Sequence, residues 1–182
     1  MKITLSLILS LLLSTQLHAE IEKFAIPDKK CGKICFYWWP KLPTIEGWHH
    51  DRQQSYAFSA NTQAPNGFTF ANAETVIYAK ALFKPRMPET KTLEQLIKND
   101  HNRFKTETNV IIKKSKTYIT ADKNKLVSYT FSPKEKGNWE QVSYGEEGEF
   151  FLIFTVSSRS KSGLLETIPI YEKYLAKYNE KP

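Results

Sequence analysis

Two short clusters of titratable side chains offer the residue types that catalysis uses. His49, His50 and Asp51 are consecutive, and imidazole and carboxylate groups serve as acids, bases and metal ligands. Because neighbouring strand residues point to opposite faces, the two histidines cannot easily share one metal or one substrate. Asp100 and His101 flank a predicted helix stripe, and a catalytic Asp–His pair would also need a nucleophile. The chain has no G-x-S-x-G motif to supply one, so a polar structural role is the favoured interpretation.

The two cysteines of the chain, Cys31 and Cys35, are separated by three residues, the first of which is Gly32. This spacing allows a bridge, and an oxidising compartment would form it, so we predict a structural disulfide. The C-x-x-C spacing of thioredoxin-type redox sites is not present. A zinc site that added His49 and His50 would rest on spacing alone. We therefore expect neither a metal nor another cofactor.

Tryptophan side chains are the candidates for a binding surface. Trp38 and Trp39 are neighbours in a predicted strand, so we expect their side chains on opposite faces of the sheet and one indole exposed. Trp48, a short distance along the chain, is the third candidate. Exposed tryptophan is enriched at binding hot spots. Core packing is the alternative, because nine Tyr, eleven Phe and four Trp are typical of a sheet-rich core.

The formal net charge of +7 comes from basic residues spread along the chain. This distribution favours simple solubility over nucleic-acid binding, although weak contact with anionic surfaces is compatible with it. Lys113, Lys114 and Lys116 are interpreted as an outward strand face that discourages edge pairing.

Residues 1–19 have the pattern of a cleavable signal peptide. Lys2 precedes an apolar run from Ile3 to Leu13, which is shorter than the about 20 residues that a membrane-spanning helix needs. Leu17-His18-Ala19 predicts cleavage after Ala19. We expect a mature chain without a membrane span that acts in the periplasm or is secreted.

Periodicity predicts strands at 36–39, 48–51, 56–59, 76–84, 109–120 and 126–132, and a hairpin of 139–144 with 149–157 around a Gly145–Gly148 turn. A helix over 92–105 begins at a capping box of Thr92 and Gln95. A second helix begins near Ser160, and Pro169 should kink or split it. This order predicts an α+β fold in which an antiparallel sheet is packed by helices. We assign residues 20–42 to an N-terminal segment with the cysteine loop, and 43–182 to one globular domain.

Turn, core and cap motifs lie along residues 43–178. They are Pro43 with Gly47-Trp48; Val76-Ile77-Tyr78-Ala79; Leu93-Glu94-Gln95-Leu96-Ile97 with Asp100 and Phe104; Gly137-Asn138-Trp139-Glu140; and Phe154 to Ser160, with Pro169 and Tyr178 beyond. In these motifs the chain resembles the PsbP-like fold, a group that includes the bacterial DcrB-like proteins. The resemblance implies a PsbP-like α/β sandwich that works as a binding or assembly module. It implies no shared active site and transfers no functional residue.

Three hypotheses about function follow, in this order. The first is a non-enzymatic periplasmic binding or assembly module, whose expected partner is another protein and not nucleic acid. The second is an immunity-type protein that binds and neutralises an exported toxin. The third is a hydrolase that uses His49 and His50, or Asp100 and His101.

Overall fold

The structure is a computed structural model that describes residues 21–27 and 32–179. The predicted signal peptide and Cys31 lie outside these residues. The strands are β1 (Ile21–Pro27), β2 (Ile34–Pro40), β3 (Trp48–His50), β4 (Asn61–Pro65), β5 (Thr75–Phe83), β6 (Val110–Ile119), β7 (Lys125–Pro133), β8 (Trp139–Glu147) and β9 (Phe150–Ser158). The helices are α1 (Arg52–Phe58), α2 (Leu93–Thr108) and α3 (Lys161–Lys177), and one 3₁₀ turn covers Lys84–Arg86.

The nine described strands form one antiparallel sheet in the order β1-β2-β5-β9-β8-β7-β6. Strand β4 also pairs with β5, and β3 pairs with β4. The sheet therefore joins β1 and β2, which precede residue 43, to the rest of the chain. The predicted fold class, an antiparallel sheet packed by helices, is confirmed.

Each face of the sheet is packed by a different helix. Strand residues alternate between faces, so Ile77, Ala79 and Ala81 of β5 join a core formed with α3. That core also contains Leu152, Phe154, Val156, Tyr171, Tyr174 and Leu175. The opposite face carries a second core formed with α2, which contains Leu96, Ile97, Phe131, Val142, Tyr144 and Phe151. The even-numbered residues of β5 belong to this α2 face.

A chain of hydroxyl groups crosses the α3 core. The Tyr171 hydroxyl lies 2.7 Å from Ser143 Oγ and 2.9 Å from the carbonyl oxygen of Phe154. Ser143 Oγ lies 2.7 Å from Ser128 Oγ on the neighbouring strand. Because Tyr171, Ser143 and Ser128 are fully buried, these contacts satisfy polar groups that water does not reach.

Strand β6 contains a bulge. Its pairing with β7 shifts between Lys114 and Thr117, where three steps along β6 match two along β7. One extra residue inverts the alternation of faces. As a result Val110 packs in the α2 core and Tyr118 packs in the α3 core, although both have even numbers.

Two helices begin at the predicted caps. Thr92 Oγ1 accepts a hydrogen bond from Gln95 N at 3.2 Å, but the Gln95 side chain accepts from Lys91 N at 3.0 Å and not from Thr92 N. The second hydrogen bond of the capping box therefore comes from the backbone N–H of Lys91, one residue before the one expected. Ser160 caps α3 by accepting from Gly163 N at 3.1 Å.

Pro169 does not split the terminal helix, which runs unbroken from Lys161 to Lys177. Proline cannot donate to the carbonyl four residues earlier, which belongs to Leu165. Pro169 is exposed and Leu165 is 61% exposed, so this carbonyl lies on the water-facing side of α3. Water can replace the missing donor there, which explains why the helix is not split, one of the two outcomes that the sequence predicted for Pro169.

Three local predictions also differ from the structure. Residues 56–58 end α1 and do not form a strand, because Asp51 caps a helix that buries Ser55 and leaves Tyr56 exposed. The hairpin turn is shorter than expected, since Glu147 already pairs with Phe150. Gly145 lies inside β8, where a Cβ atom would stand 2.4 Å from Leu126 Cδ2. Strand β1 was not predicted at all.

Candidate functional site

A cleft of about 450 Å³ opens on the α2 face of the sheet. Its floor is formed by alternate residues of three adjacent strands, Val76, Tyr78 and Lys80 from β5, Ser157 from β9 and Glu140 from β8. The strand register places Glu140 beside Ser157, and Ser157 beside Val76. A second cleft of about 530 Å³ shares Asn138 and Glu140 with the first and continues toward Phe104 of α2.

Glu140 is a buried carboxyl group where the two clefts adjoin, and it is 9% exposed. Burial raises its pKa, and the negative charge of Asp100 adds to this effect, whereas a hydrogen bond with Ser157 opposes it. Asn138 Nδ2 donates to Ser157 Oγ at 3.1 Å, which fixes the hydroxyl beside the carboxyl. A carboxyl with a raised pKa favours the protonated form, which can donate a hydrogen bond to a ligand.

Lys80 and Tyr78 supply the other ionisable groups of the cleft floor. Lys80 is half-buried, and burial lowers the pKa of its ammonium. Burial also raises the pKa of the Tyr78 phenol well above its ordinary value, so it stays a neutral hydroxyl. Both shifts reflect the low polarity of this face, where a charged group has lost part of its hydration.

The walls of the cleft are partly aromatic. The Phe58 and Phe70 rings are 5.1 Å apart, and Phe70 contacts Tyr78 edge-on at 5.9 Å. Phe58 is 50% exposed although it is a large apolar residue. Arg159 lies at the rim and donates to the Ala71 carbonyl at 2.9 Å. The cleft thus combines an apolar wall, two basic side chains and a buried carboxyl.

Asp100 and His101 do not form a catalytic pair. Asp100 accepts hydrogen bonds from the Tyr144 hydroxyl at 2.6 Å and from Arg103 at 2.5 Å. His101 instead packs edge-on against Tyr129 at 4.4 Å, and its buried Nε2 has no hydrogen-bond partner among the described residues. Burial lowers the pKa of His101. The structure therefore gives the two adjacent residues separate, structural partners.

The His49–Asp51 cluster fixes the connection between β3 and α1. His50 Nε2 lies 2.8 Å from Ser55 Oγ, and burial lowers the pKa of the imidazole. Ser55 has no exposed surface, and its hydroxyl also accepts from Thr62 N at 2.9 Å and donates to Asp51 O at 3.0 Å. A substrate cannot approach this hydroxyl, so the His–Ser contact is structural. His49 is exposed and points away from His50.

The three tryptophans do not form one surface. Trp39 has no exposed surface and stacks on Phe24 with ring centroids 3.6 Å apart, so it belongs to the core. Trp38 points to the opposite face, as predicted, and is half-buried against Phe83 and Phe150. Trp48 is half-buried and contacts Tyr174 edge-on. Core packing explains Trp39 fully and the other two in part.

The structure describes one of the two cysteines, Cys35, and does not test the predicted disulfide. Cys35 is 2% exposed on β2, in the strand that pairs with β1. Cys31 lies outside the described residues, so the Cys31–Cys35 disulfide stays a prediction.

Sequence reasoning missed the cleft because its floor residues come from β5 and from the β8–β9 hairpin, which are distant from each other in the chain. Only the strand register brings Tyr78, Glu140 and Ser157 onto one face. The available signal was a lysine, Lys80, in the middle of the apolar strand Thr75–Phe83, together with Glu140 between Trp139 and Val142. An ionisable residue in a strand that is covered on both faces commonly marks a site.

Neither a protein-family model nor a curated protein matches this sequence. Among solved structures, the chain is similar to the solution structure of cyanobacterial PsbP (CyanoP) from Synechocystis sp. PCC 6803, at 11% sequence identity and a TM-score of 0.38. The match covers 86% of this chain and 89% of that one. A similarity of this degree says nothing about ligand, partner or activity.

The described residues contain neither a helix that could span a membrane nor a cluster of metal ligands. None of the helices in residues 21–27 and 32–179 is long and apolar enough to cross a membrane. Within the same ranges, no group of three or more His, Cys, Asp or Glu side chains is placed to hold a metal ion.

Proposed function

We propose that this protein is an exported binding module that holds a ligand in the cleft over β5, β9 and β8 and carries out no reaction of its own. The observation that carries this proposal is the cleft itself, about 450 Å³ in volume, with partly buried ionisable groups on its floor. Ligand sites are typically clefts of roughly 300–1,000 Å³ that combine an apolar lining with a few polar groups.

A binding role fits better than a catalytic one because the candidate catalytic groups are engaged elsewhere. The Ser55 hydroxyl next to His50 is inaccessible, and Asp100 is held by Tyr144 and Arg103. Glu140 would need a second carboxylate in reach of the same substrate for hydrolysis by a carboxylate pair. The other carboxylate lining its first cleft is Glu74, which is exposed at the rim.

A fragment screen by NMR on the chain from residue 20 onward tests this proposal, since that chain contains every described residue. We expect fragments that shift the resonances of Val76, Tyr78 and Ser157. Replacing the exposed rim residue Ala71 by Trp should fill the cleft and weaken such binding by about tenfold or more. The matched control is Ala176→Trp, at an exposed position on α3, which should leave binding unchanged.

The proposal has two ways to fail in this screen. Fragments that never shift the cleft residues, or that bind Ala71→Trp as well as the native chain, would remove the binding role. Recovery of a fragment in chemically altered form would contradict the absence of a reaction.

Export and the disulfide belong to the same proposal. The apolar segment from Ile3 to Leu13 and the Leu17-His18-Ala19 sequence support cleavage after Ala19 and release into the periplasm. Mass spectrometry of the chain purified from a periplasmic extract should show an N-terminus at Glu20. The intact mass should be lower by two hydrogen atoms than after reduction. An uncleaved chain, or no mass change on reduction, would contradict these two points respectively.

A protein partner, including the toxin of an immunity-type inhibitor, is the second candidate. The observation that favours it lies on β2, where the Arg86 guanidinium stands 4.6 Å from the Trp38 ring and Phe36 is 40% exposed. Tryptophan and arginine are enriched at interface hot spots. Crosslinked capture from a periplasmic extract should recover a partner that is lost with Phe36→Asp. A partner retained by that variant contradicts contact at this surface.

A further inference from the structure

Lys80 differs from Lys84, the other half-buried lysine among the described residues. Lys84 pairs with Glu146 at 2.9 Å and donates to the Gly148 carbonyl at 3.0 Å. Within residues 21–27 and 32–179, no carboxylate or carbonyl stands within hydrogen-bond or ion-pair distance of the Lys80 ammonium. A desolvated ammonium without a counter-ion is costly, and the cleft is the space from which an anion can reach it.

The other charged groups around the cleft do not form an ion pair with Lys80. Arg103 is neutralised by Asp100 at 2.5 Å and approached by Glu107 at 3.5 Å. Arg159 lines the cleft and donates to the Ala71 carbonyl, and no carboxylate of the described residues forms an ion pair with it. Glu140 is buried, and burial raises its pKa toward the neutral form. No ion pair joins Lys80 or Arg159 to Glu140 or to Glu74, the exposed carboxylate at the rim of the cleft.

The apolar part of the lining sets the second requirement on the ligand. Phe58, Phe70 and Val76 line the same cleft as Lys80, and the two phenylalanine rings contact each other. A small inorganic anion would leave these rings against water. A ligand with an anionic head and an apolar body would cover the rings and reach the ammonium together.

We propose that the cleft binds an amphipathic organic anion, with a carboxylate or phosphate-ester head on the Lys80 ammonium and an apolar body against Phe58 and Phe70. This inference rests on the proposed binding function and specifies its ligand class. Charge-assisted hydrogen bonds from lysine are among the stronger polar contacts, so Lys80 determines the preference for an anion over a neutral analogue.

Isothermal titration of the chain from residue 20 onward tests the proposal with three probes that share one apolar body: decanoate, decyl phosphate and 1-decanol. We expect at least one of the two anions to bind about tenfold more tightly than the alcohol. Lys80→Met should abolish this difference, and Lys80→Arg should keep it. Lys113→Met removes an exposed lysine on β6, outside the cleft, and should behave as the native chain.

The outcomes separate this inference from the proposed function. Equal affinity for decanoate, decyl phosphate and decanol, or an anion preference that survives Lys80→Met, overturns the anionic ligand. Inorganic phosphate that binds as tightly as decyl phosphate overturns the amphipathic one. If none of the decyl probes binds while fragments still occupy the cleft, the ligand class is wrong and the binding role stands. If fragments also fail, both are wrong.

Discussion

Replacement of Tyr171 by Phe removes one hydroxyl from the centre of the α3 core and leaves the ring in place. That hydroxyl contacts Ser143 Oγ at 2.7 Å and the Phe154 carbonyl at 2.9 Å, and Tyr171 has no exposed surface. Each buried hydrogen bond contributes about 1 kcal/mol to stability, so loss of two should lower the free energy of unfolding by about 2 kcal/mol. For a domain of this size the melting temperature should fall by roughly 4–8 °C.

Urea unfolding followed by circular dichroism measures this loss directly. The slope of the free energy against urea should not change, because the unfolded surface is the same. Ser143→Ala removes the hydroxyl that links Tyr171 to Ser128. In a double-mutant cycle, Tyr171→Phe and Ser143→Ala should therefore couple by about 1 kcal/mol.

Tyr56→Phe is the matched control. Tyr56 is 42% exposed on α1, so its hydroxyl lies in or near water, and the substitution should change stability by less than about 0.5 kcal/mol. A loss for Tyr171→Phe no larger than for Tyr56→Phe would refute the view that the hydroxyl chain stabilises the core. Strict additivity with Ser143→Ala would refute the contact between the two hydroxyls.

Three further predictions concern stability. Gly145→Ala should lower the free energy of unfolding in urea by about 1–3 kcal/mol, because its Cβ would meet Leu126 Cδ2 at 2.4 Å. At Gly67 nothing lies within 4 Å of a Cβ but φ is +85°, so Gly67→Ala should lower it by about 1 kcal/mol from backbone strain alone. Burial raises the pKa of Glu140 in the folded chain, so above the pKa of the unfolded chain the folded state binds more protons than the unfolded state. The free energy of unfolding, relative to that of Glu140→Gln, should therefore fall as the pH rises from about 4.5 through the folded pKa, and a pH-independent difference would contradict this. Burial lowers the pKa of His101, so the native chain should lose stability relative to His101→Phe as pH falls below about 6.5, and equal pH profiles would contradict it.

The long periodic elements could be predicted from the sequence because local pattern and tertiary environment agree in them. The strand Thr75–Phe83 and the helix Leu93–Thr108 each have a cap or a proline near their ends and a consistent apolar face. The prediction for Tyr56 to Ser59 was wrong because aromatic residues favour strands, whereas here the Asp51 cap and the burial of Ser55 decide for a helix. In the sequence, the indication of a helix was limited to one capping residue, Asp51.

The candidate site was beyond sequence reasoning for a different reason. His50 and Asp51 are conspicuous in sequence, yet their hydrogen bonds are used within the β3–α1 connection. Lys80 is inconspicuous because it is a single charged residue in an apolar strand, and Glu140 because it is one of several polar residues in β8. Their shared cleft depends on the order β5-β9-β8, which pairs strands about 75 residues apart in the chain, and no local pattern specifies that order.

The bulge in β6 has a consequence for how this gene can vary in length. Before Lys114 the even-numbered side chains of β6 face the α2 core, and after Thr117 the even-numbered side chains face the α3 core. Deletion of one codon within the bulge would restore a regular ladder, and each half of β6 would stay opposite the same residues of β7, so Val110 and Tyr118 would keep their cores. Insertion of one further codon would instead turn either Val110 or Tyr118 away from its core. The strand therefore tolerates the loss of one residue at the bulge better than the gain of one, whereas substitutions at the exposed Lys116 within the bulge leave both cores unchanged.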